Sequence, residues 1–197
     1  MSTFDRRAKE WDNKDIRVQG AQVIAEAIKQ KIKLTKEMEI IDFGVGTGLL
    51  GFEIARDVKH VFGVDTSKGM LEKLQEKNSQ DLHITPIHQD IIKNPLTQTV
   101  DGLISSMTLH HIEDLEKFFK TIYKMLKKDG FIAIADLQSE DGTFHSDNTG
   151  VHHFGFDAKT LQSLVKKNGF NDIQIEKIHT IQKPHRSFDI FLLTARK

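Results

Sequence analysis

Residues 40–51 read IIDFGVGTGLLG, and the reading of this stretch decides the fold. Ile40, Ile41 and Phe43 look like the end of a buried parallel strand, apolar on both faces. Gly44, Gly46 and Gly48 then permit a sharp turn whose backbone approaches a ligand closely. A helix starting there points its first amides, unpaired within the helix, at that ligand. Such glycines alone fit many nucleotide-binding sheets, and Gly46, Gly48 and Gly51 formally match the fingerprint of a nicotinamide-dependent oxidoreductase. Asp42 narrows the choice. A carboxylate just before the turn repels a diphosphate and attracts an ammonium or a sulfonium, so a cationic ligand is favoured over a dinucleotide.

Moving outward, strands and helices alternate. His60–Val64 reads as the second strand, with Asp65 at its tip about 20 residues after the glycines, the distance at which an acid meets ribose hydroxyls. Ser67 is placed to cap a helix carrying Met70, Leu71 and Leu74. Ile84–His88 is a third strand, followed by Asp90, so acids stand at three strand tips along the edge where open α/β sheets bind ligands. Asp101–Ser105 is the fourth strand, and His110 and His111 lie just beyond it. A helix from Leu115 is expected to stop at Gly130, before a fifth strand at Phe131–Leu137. Asp157 caps a helix through Asn168, and strands at Asp172–Ile178 and Phe188–Ala195 close the chain. The fold class is therefore α/β, a doubly wound sheet, in one domain spanning residues 1–197. Ahead of it, residues 1–35 form a polar arm with the only tryptophan, Trp11, and an amphipathic helix. Trp11 anchors this arm by its ring, or the arm is a lid whose Arg17 meets a carboxylate.

Bulk properties exclude several classes. Acidic and basic residues balance at 28 each, so no general attraction to nucleic acid or an anionic membrane is expected. With no cysteine there is no disulfide, thiolate nucleophile or cysteine-ligated metal. No apolar run reaches the roughly 18 residues of a membrane span, and the first residues lack the apolar core of a signal peptide, which leads us to expect a cytoplasmic protein. Loop residues 138–156 are rich in glycine and histidine and long enough to suggest a role at an acceptor pocket. His145, Asp147, His152 and His153 within it lack a fixed ligand register, so no metal is expected. Contact with an acceptor substrate is the reading taken for His145, His152 and His153.

The stretches IIDFGVGTGLLG, VFGVDTSKGMLEKL, HQDI, VDGLISSMTLHHIED and FFKTIYKMLKKDGFIAIAD, followed by LVKKNGF, together resemble the class I S-adenosylmethionine-dependent methyltransferases. The likeness is to the small-molecule group that includes the ubiquinone and menaquinone biosynthesis enzymes. It implies a Rossmann-like, mostly parallel seven-stranded sheet, with the final strand inserted antiparallel beside the fifth, and S-adenosyl-L-methionine as cofactor. It further implies that Asp42 with Gly44, Gly46 and Gly48 holds the methionine part and that Asp65 takes the ribose. Thr66 and Met70 would border the adenine, Asp90 would accept from its amino group beside Ile91, and Ser106 would lie under the sulfonium. Methyl transfer needs a base only where the acceptor carries a proton, and His110 and His111 are the candidates by position. The acceptor is expected to be a small molecule. The sequence after the fourth strand, Ser105-Ser106-Met107-Thr108, lacks the Asn-Pro-Pro-Tyr-like pattern of amino-group nucleic-acid methylases. Competing readings are a non-catalytic cofactor- or partner-binding module and the oxidoreductase.

Overall fold

The computed structural model describes residues 3–184 and 186–197. Seven strands form one sheet in the order β3-β2-β1-β4-β5-β7-β6. They are β1 (Glu39–Phe43), β2 (His60–Asp65), β3 (Ile84–His88), β4 (Val100–Ser106), β5 (Leu126–Leu137), β6 (Asn171–Lys183) and β7 (Arg186–Arg196). β1 lies centrally, parallel to β2 and β4, and β7 runs antiparallel between β5 and β6. Strand order reverses direction at β1, so the crevice at its carboxyl end is the switch point where such sheets take ligands.

Alternation along each strand divides the core between two faces. Ile40 and Phe131 pack with Ile24 and Ile28 of α2 (Asp15–Lys31), Ile54 of α3 (Leu49–Ala55) and Leu74 of α4 (Lys68–Lys77). Ile41 and Ile132 turn the other way, toward Phe118 and Ile122 of α5 (Leu115–Met125) and Val165 of α6 (Ala158–Lys167). The apolar runs of β1, β4 and β5 follow from burial on both sides. Helix starts are fixed locally: Ser67, Asp114 and Asp157 each accept a hydrogen bond from the amide three residues on.

Gly130 does not stop a helix. α5 ends at Met125, Leu126 already pairs with Val100, and the ladder resumes only at Gly102 and Phe131. Residues Lys127–Gly130 are an irregularity inside β5, with Asp129 at φ 62°. The KKDG composition reads as a terminator, yet here it makes a kink within a strand. No helix among the described residues is long and apolar enough to cross a membrane.

Candidate active site

The turn after β1 is built from its own amides. Gly44 and Val45 donate to the Val64 carbonyl at 2.9 and 3.1 Å, and Gly46 donates to Asp65 Oδ2 at 2.8 Å. The other Asp65 oxygen accepts from the Ser67 amide at 2.8 Å, so this carboxylate ties the glycine turn to the start of α4. Burial raises the Asp65 pKa, and these amides oppose the rise. Gly44 has φ 69°, and a Cβ there would stand 2.3 Å from Thr108 Oγ1. The exit of β4 thus presses on the turn with no room for a side chain. Gly44→Ala is expected to cost roughly 2–3 kcal/mol in a denaturant titration, from left-handed strain plus overlap.

The three strand-tip acids lie on adjacent strands but are not equivalent. Asp42 is sealed beneath the turn at 1 % exposure, and its Oδ2 has no hydrogen-bond partner. Gly51 is required opposite it, because a Cβ would lie 2.8 Å from that oxygen. Burial first, then Asp65, pushes the Asp42 pKa up to about 8, against the Gly51 amide. The folded protein therefore holds a proton there that the unfolded chain releases near pH 4. The resulting stability is complete below pH 4 and is lost as pH rises through about 8. Asp42→Asn is expected to raise Tm relative to the parent by a margin that grows between pH 5 and pH 9, roughly several degrees at the top. A margin independent of pH would contradict the assignment.

Asp90 is half-exposed, accepts from the Ile92 and Lys93 amides and pairs with Lys93 at 3.1 Å. Met70 and Ile91 are core residues at 1 % and 0 % exposure. The Thr66 carbonyl lies 3.0 Å from a ring nitrogen of His88, and the Ser106 carbonyl accepts from Thr108.

Past Ser106, Met107 takes φ 55°, and a single 3₁₀ turn, Leu109–His111, follows. His110 is buried, its Nδ1 2.7 Å from Asp136 Oδ1. A carboxylate only accepts, so His110 donates from Nδ1. Asp136 also accepts from the His110 amide at 3.2 Å and the Leu137 amide at 2.7 Å. His110 Nε2 then meets His145 Nε2 at 3.1 Å. His111 donates from Nδ1 to the Gly150 carbonyl at 2.7 Å, which leaves its lone pair on Nε2. Burial, then His110 and His111, lowers the His145 pKa to about 4, so its ring is neutral near pH 7.

The loop after β5 is folded, not loose. Ser139 and Glu140 donate to the carbonyls of Phe156 and Phe154, closing its two ends. Phe144 packs edge-on against Phe188 of β7 and under the Lys183 ammonium, which also donates to its carbonyl. Those contacts carry His145 to His110. His152 and His153 reach the His110 carbonyl through their amides; the His152 side chain is exposed, and His153 Nε2 donates to the Ile112 carbonyl at 2.9 Å. Asp147 is spent on Thr149.

The arm crosses the crevice. α1 (Thr3–Arg7) sets Asp5 against Ser67 Oγ at 2.6 Å and the Gly69 amide at 3.0 Å. Asp12, in a 3₁₀ segment, accepts from Thr47 at 2.5 Å, and the Phe4 ring meets His111 edge-on at 5.2 Å. Arg17 stacks on Trp11 at 3.7 Å and donates to its carbonyl.

The structure therefore brings together His110, His111 and His145, with the glycine turn adjoining through Thr108, and leaves the His152 and His153 rings outside that group. Sequence reasoning missed Asp136, Asp5 and Asp12. Asp136 carried a signal, a carboxylate ending the otherwise apolar FIAIAD; the other two did not.

A family described as a methyltransferase domain matches residues 41–134. An uncharacterized methyltransferase of Schizosaccharomyces pombe is 29 % identical over 157 residues, covering 70 % of this chain and 55 % of that protein. The chain thus spans little more than half the length of that relative. Another, from Bacillus cytotoxicus, is 27 % identical over 188 residues, covering 85 % of this chain and 88 % of its own. In fold the chain is similar to phosphoethanolamine N-methyltransferase 2 of Haemonchus contortus, solved in complex with S-adenosyl-L-methionine. There the TM-score is 0.72 at 18 % identity, over 100 % of this chain and 60 % of that one.

Proposed function

From the premise that the chain belongs to the class I S-adenosylmethionine-dependent methyltransferases, we propose that it moves a methyl group from S-adenosyl-L-methionine to a small-molecule acceptor. The observation that carries this reading is the meeting of glycine turn, Asp65 and histidine cluster at one sheet edge, with Thr108 touching the Gly44 turn two residues before His110. Asp65 serves the ribose hydroxyls, Thr66 and Met70 border the adenine, and Asp90 with Ile91 meets its far edge. Gly44, Gly46 and Gly48 give the methionine part its backbone approach, Asp42 lies beneath as the nearest buried acid, and Ser106 underlies the sulfonium. Arg17 turns from Trp11 to the methionine carboxylate when the arm rearranges around the ligand.

When bound, S-adenosyl-L-methionine would supply an activated methyl carbon for in-line attack by the acceptor's nucleophile, with its sulfur as the leaving group. The protein supplies alignment and removal of the acceptor's proton. His110 and His111 carry the second task, and His145, His152 and His153 shape the acceptor side. His152→Ala or His153→Ala is expected to lower turnover severalfold while cofactor affinity stays within a factor of two. An unchanged rate would remove His152 and His153 from the acceptor site.

The test begins with thermal melting. S-adenosyl-L-methionine and its demethylated product should raise Tm, and nicotinamide dinucleotides should not. Cofactor consumption across thiols, amines, phenols, carboxylates and quinol-like compounds then identifies the acceptor. Binding without turnover on the whole panel would favour a non-catalytic module.

A further inference from the structure

One ring nitrogen from each of His110, His111 and His145 lies within 4.8 Å of the other two, the one such group of potential metal ligands among the described residues. Three features of the group are those of a metal site. The first is tautomer control. His110 donates from Nδ1 to the buried Asp136, and His111 donates from Nδ1 to a backbone carbonyl, so both neutral rings keep their lone pair on Nε2. A carboxylate or carbonyl behind the far ring nitrogen is the usual partner that orients a metal-ligating histidine. The second is spacing. Two zinc–nitrogen bonds of about 2.0–2.1 Å at a tetrahedral angle hold their nitrogens roughly 3.3 Å apart, and His110 Nε2 and His145 Nε2 stand 3.1 Å apart. The third is the ligand count. Three protein ligands leave a fourth position for a water or a substrate atom, as in catalytic rather than structural zinc sites.

We propose that His110, His111 and His145 form a divalent-metal site of zinc type, and that the acceptor's thiol, phenol or hydroxyl binds the ion at the open position. All three donors are imidazole nitrogens, which suit Zn²⁺ and Co²⁺ and disfavour the oxygen-seeking Mg²⁺ and Ca²⁺. The ion lowers the pKa of a group bound to it. With the lone pairs of His110 and His111 taken by the ion, the acceptor's proton passes to solvent and not to either ring, the resulting anion attacks the methyl carbon, and the electron pair of the broken carbon–sulfur bond stays on sulfur. This second half rests on the methyl-transfer reading; the site itself does not. Asp136 is a positioning residue, acting only through His110.

The experiment titrates Zn²⁺ alone, and Co²⁺ alone with visible absorption as readout, into the full chain. One equivalent is expected to bind, with a cobalt spectrum of nitrogen ligation. His145→Ala, on the half-buried loop, should abolish the tight equivalent, and Asp136→Asn should weaken it roughly 10- to 100-fold. His83→Ala, at an exposed histidine just before β3, should change nothing. Circular dichroism shows whether each variant is folded, and His111→Asn supplies a second ligand variant should His145→Ala unfold. Equal binding by parent and ligand variants, or no binding beyond that of exposed histidines, overturns the site. Histidine-dependent methyl transfer that survives thorough chelation overturns the ion's part in activating the acceptor and leaves His110 as a direct base. Tight, histidine-dependent metal binding with no consumption of the methyl donor on any acceptor upholds the site and removes the methyl-transfer reading instead.

Discussion

Asp136→Ala is expected to lower the unfolding free energy by about 3–5 kcal/mol, a large part of the reserve of an ordinary domain. The residue is fully buried, and its carboxylate receives the His110 ring, the His110 amide and the Leu137 amide. Truncation leaves all three donors in a low-dielectric interior without water to replace the lost oxygens. Asp136→Asn keeps the volume and one acceptor oxygen, so it should cost less stability. Its amide group would favour the opposite tautomer of His110, with the proton on Nε2 facing His145, and turnover should drop at least as far as stability suggests. Guanidinium unfolding of both variants measures the first effect. A loss below about 1 kcal/mol for Asp136→Ala would mean the pair is relieved by rearrangement.

The second large effect is on cofactor binding. If Asp65 takes the ribose hydroxyls as proposed, Asp65→Ala is expected to weaken S-adenosyl-L-methionine roughly 100- to 1000-fold, since the tie between Gly46 and Ser67 is lost together with the acceptor for those hydroxyls. Asp65→Asn, which retains one acceptor oxygen, should fall between the two. Calorimetric titration of all three proteins gives the comparison. Affinities that coincide across the series would show that the ribose lies elsewhere.

How much of this was legible beforehand depended on whether the signal was local. The glycine turn, the caps at Ser67 and Asp157 and the third strand at Ile84–His88 declare themselves within a few residues, because capping and hydrophobic period are short-range effects. The continuation of β5 back to Leu126 does not, since KKDG is as good a helix terminator as a strand irregularity, and pairing with Val100 decides between them. The insertion of β7 came from resemblance; no pattern in its own residues specifies its neighbours. At the site, position beyond β4 points to His110 and His111, and the structure sets both rings beside His145. Bringing His145 to them across 35 residues requires Phe144 seated on Phe188 and held by Lys183, a tertiary arrangement with no trace in the loop's composition. Asp42 reads in the sequence as a strand-tip carboxylate that attracts a cation, but it is buried beneath the turn with its pKa pushed up to about 8, and a carboxylate flanked by apolar residues gives no sign of that.

The sheet order also has a bearing on synthesis. β7 lies between β5 and β6, although it is the last of the three to leave the ribosome. Until residues 186–196 emerge, β6 has no partner in the sheet and β5 has one open flank, so a nascent chain holds its first five strands ready, with the sixth unpaired, and waits for the seventh. Translation pauses upstream of Arg186 would lengthen that exposure, and synonymous recoding of those codons should change soluble yield without altering the protein itself.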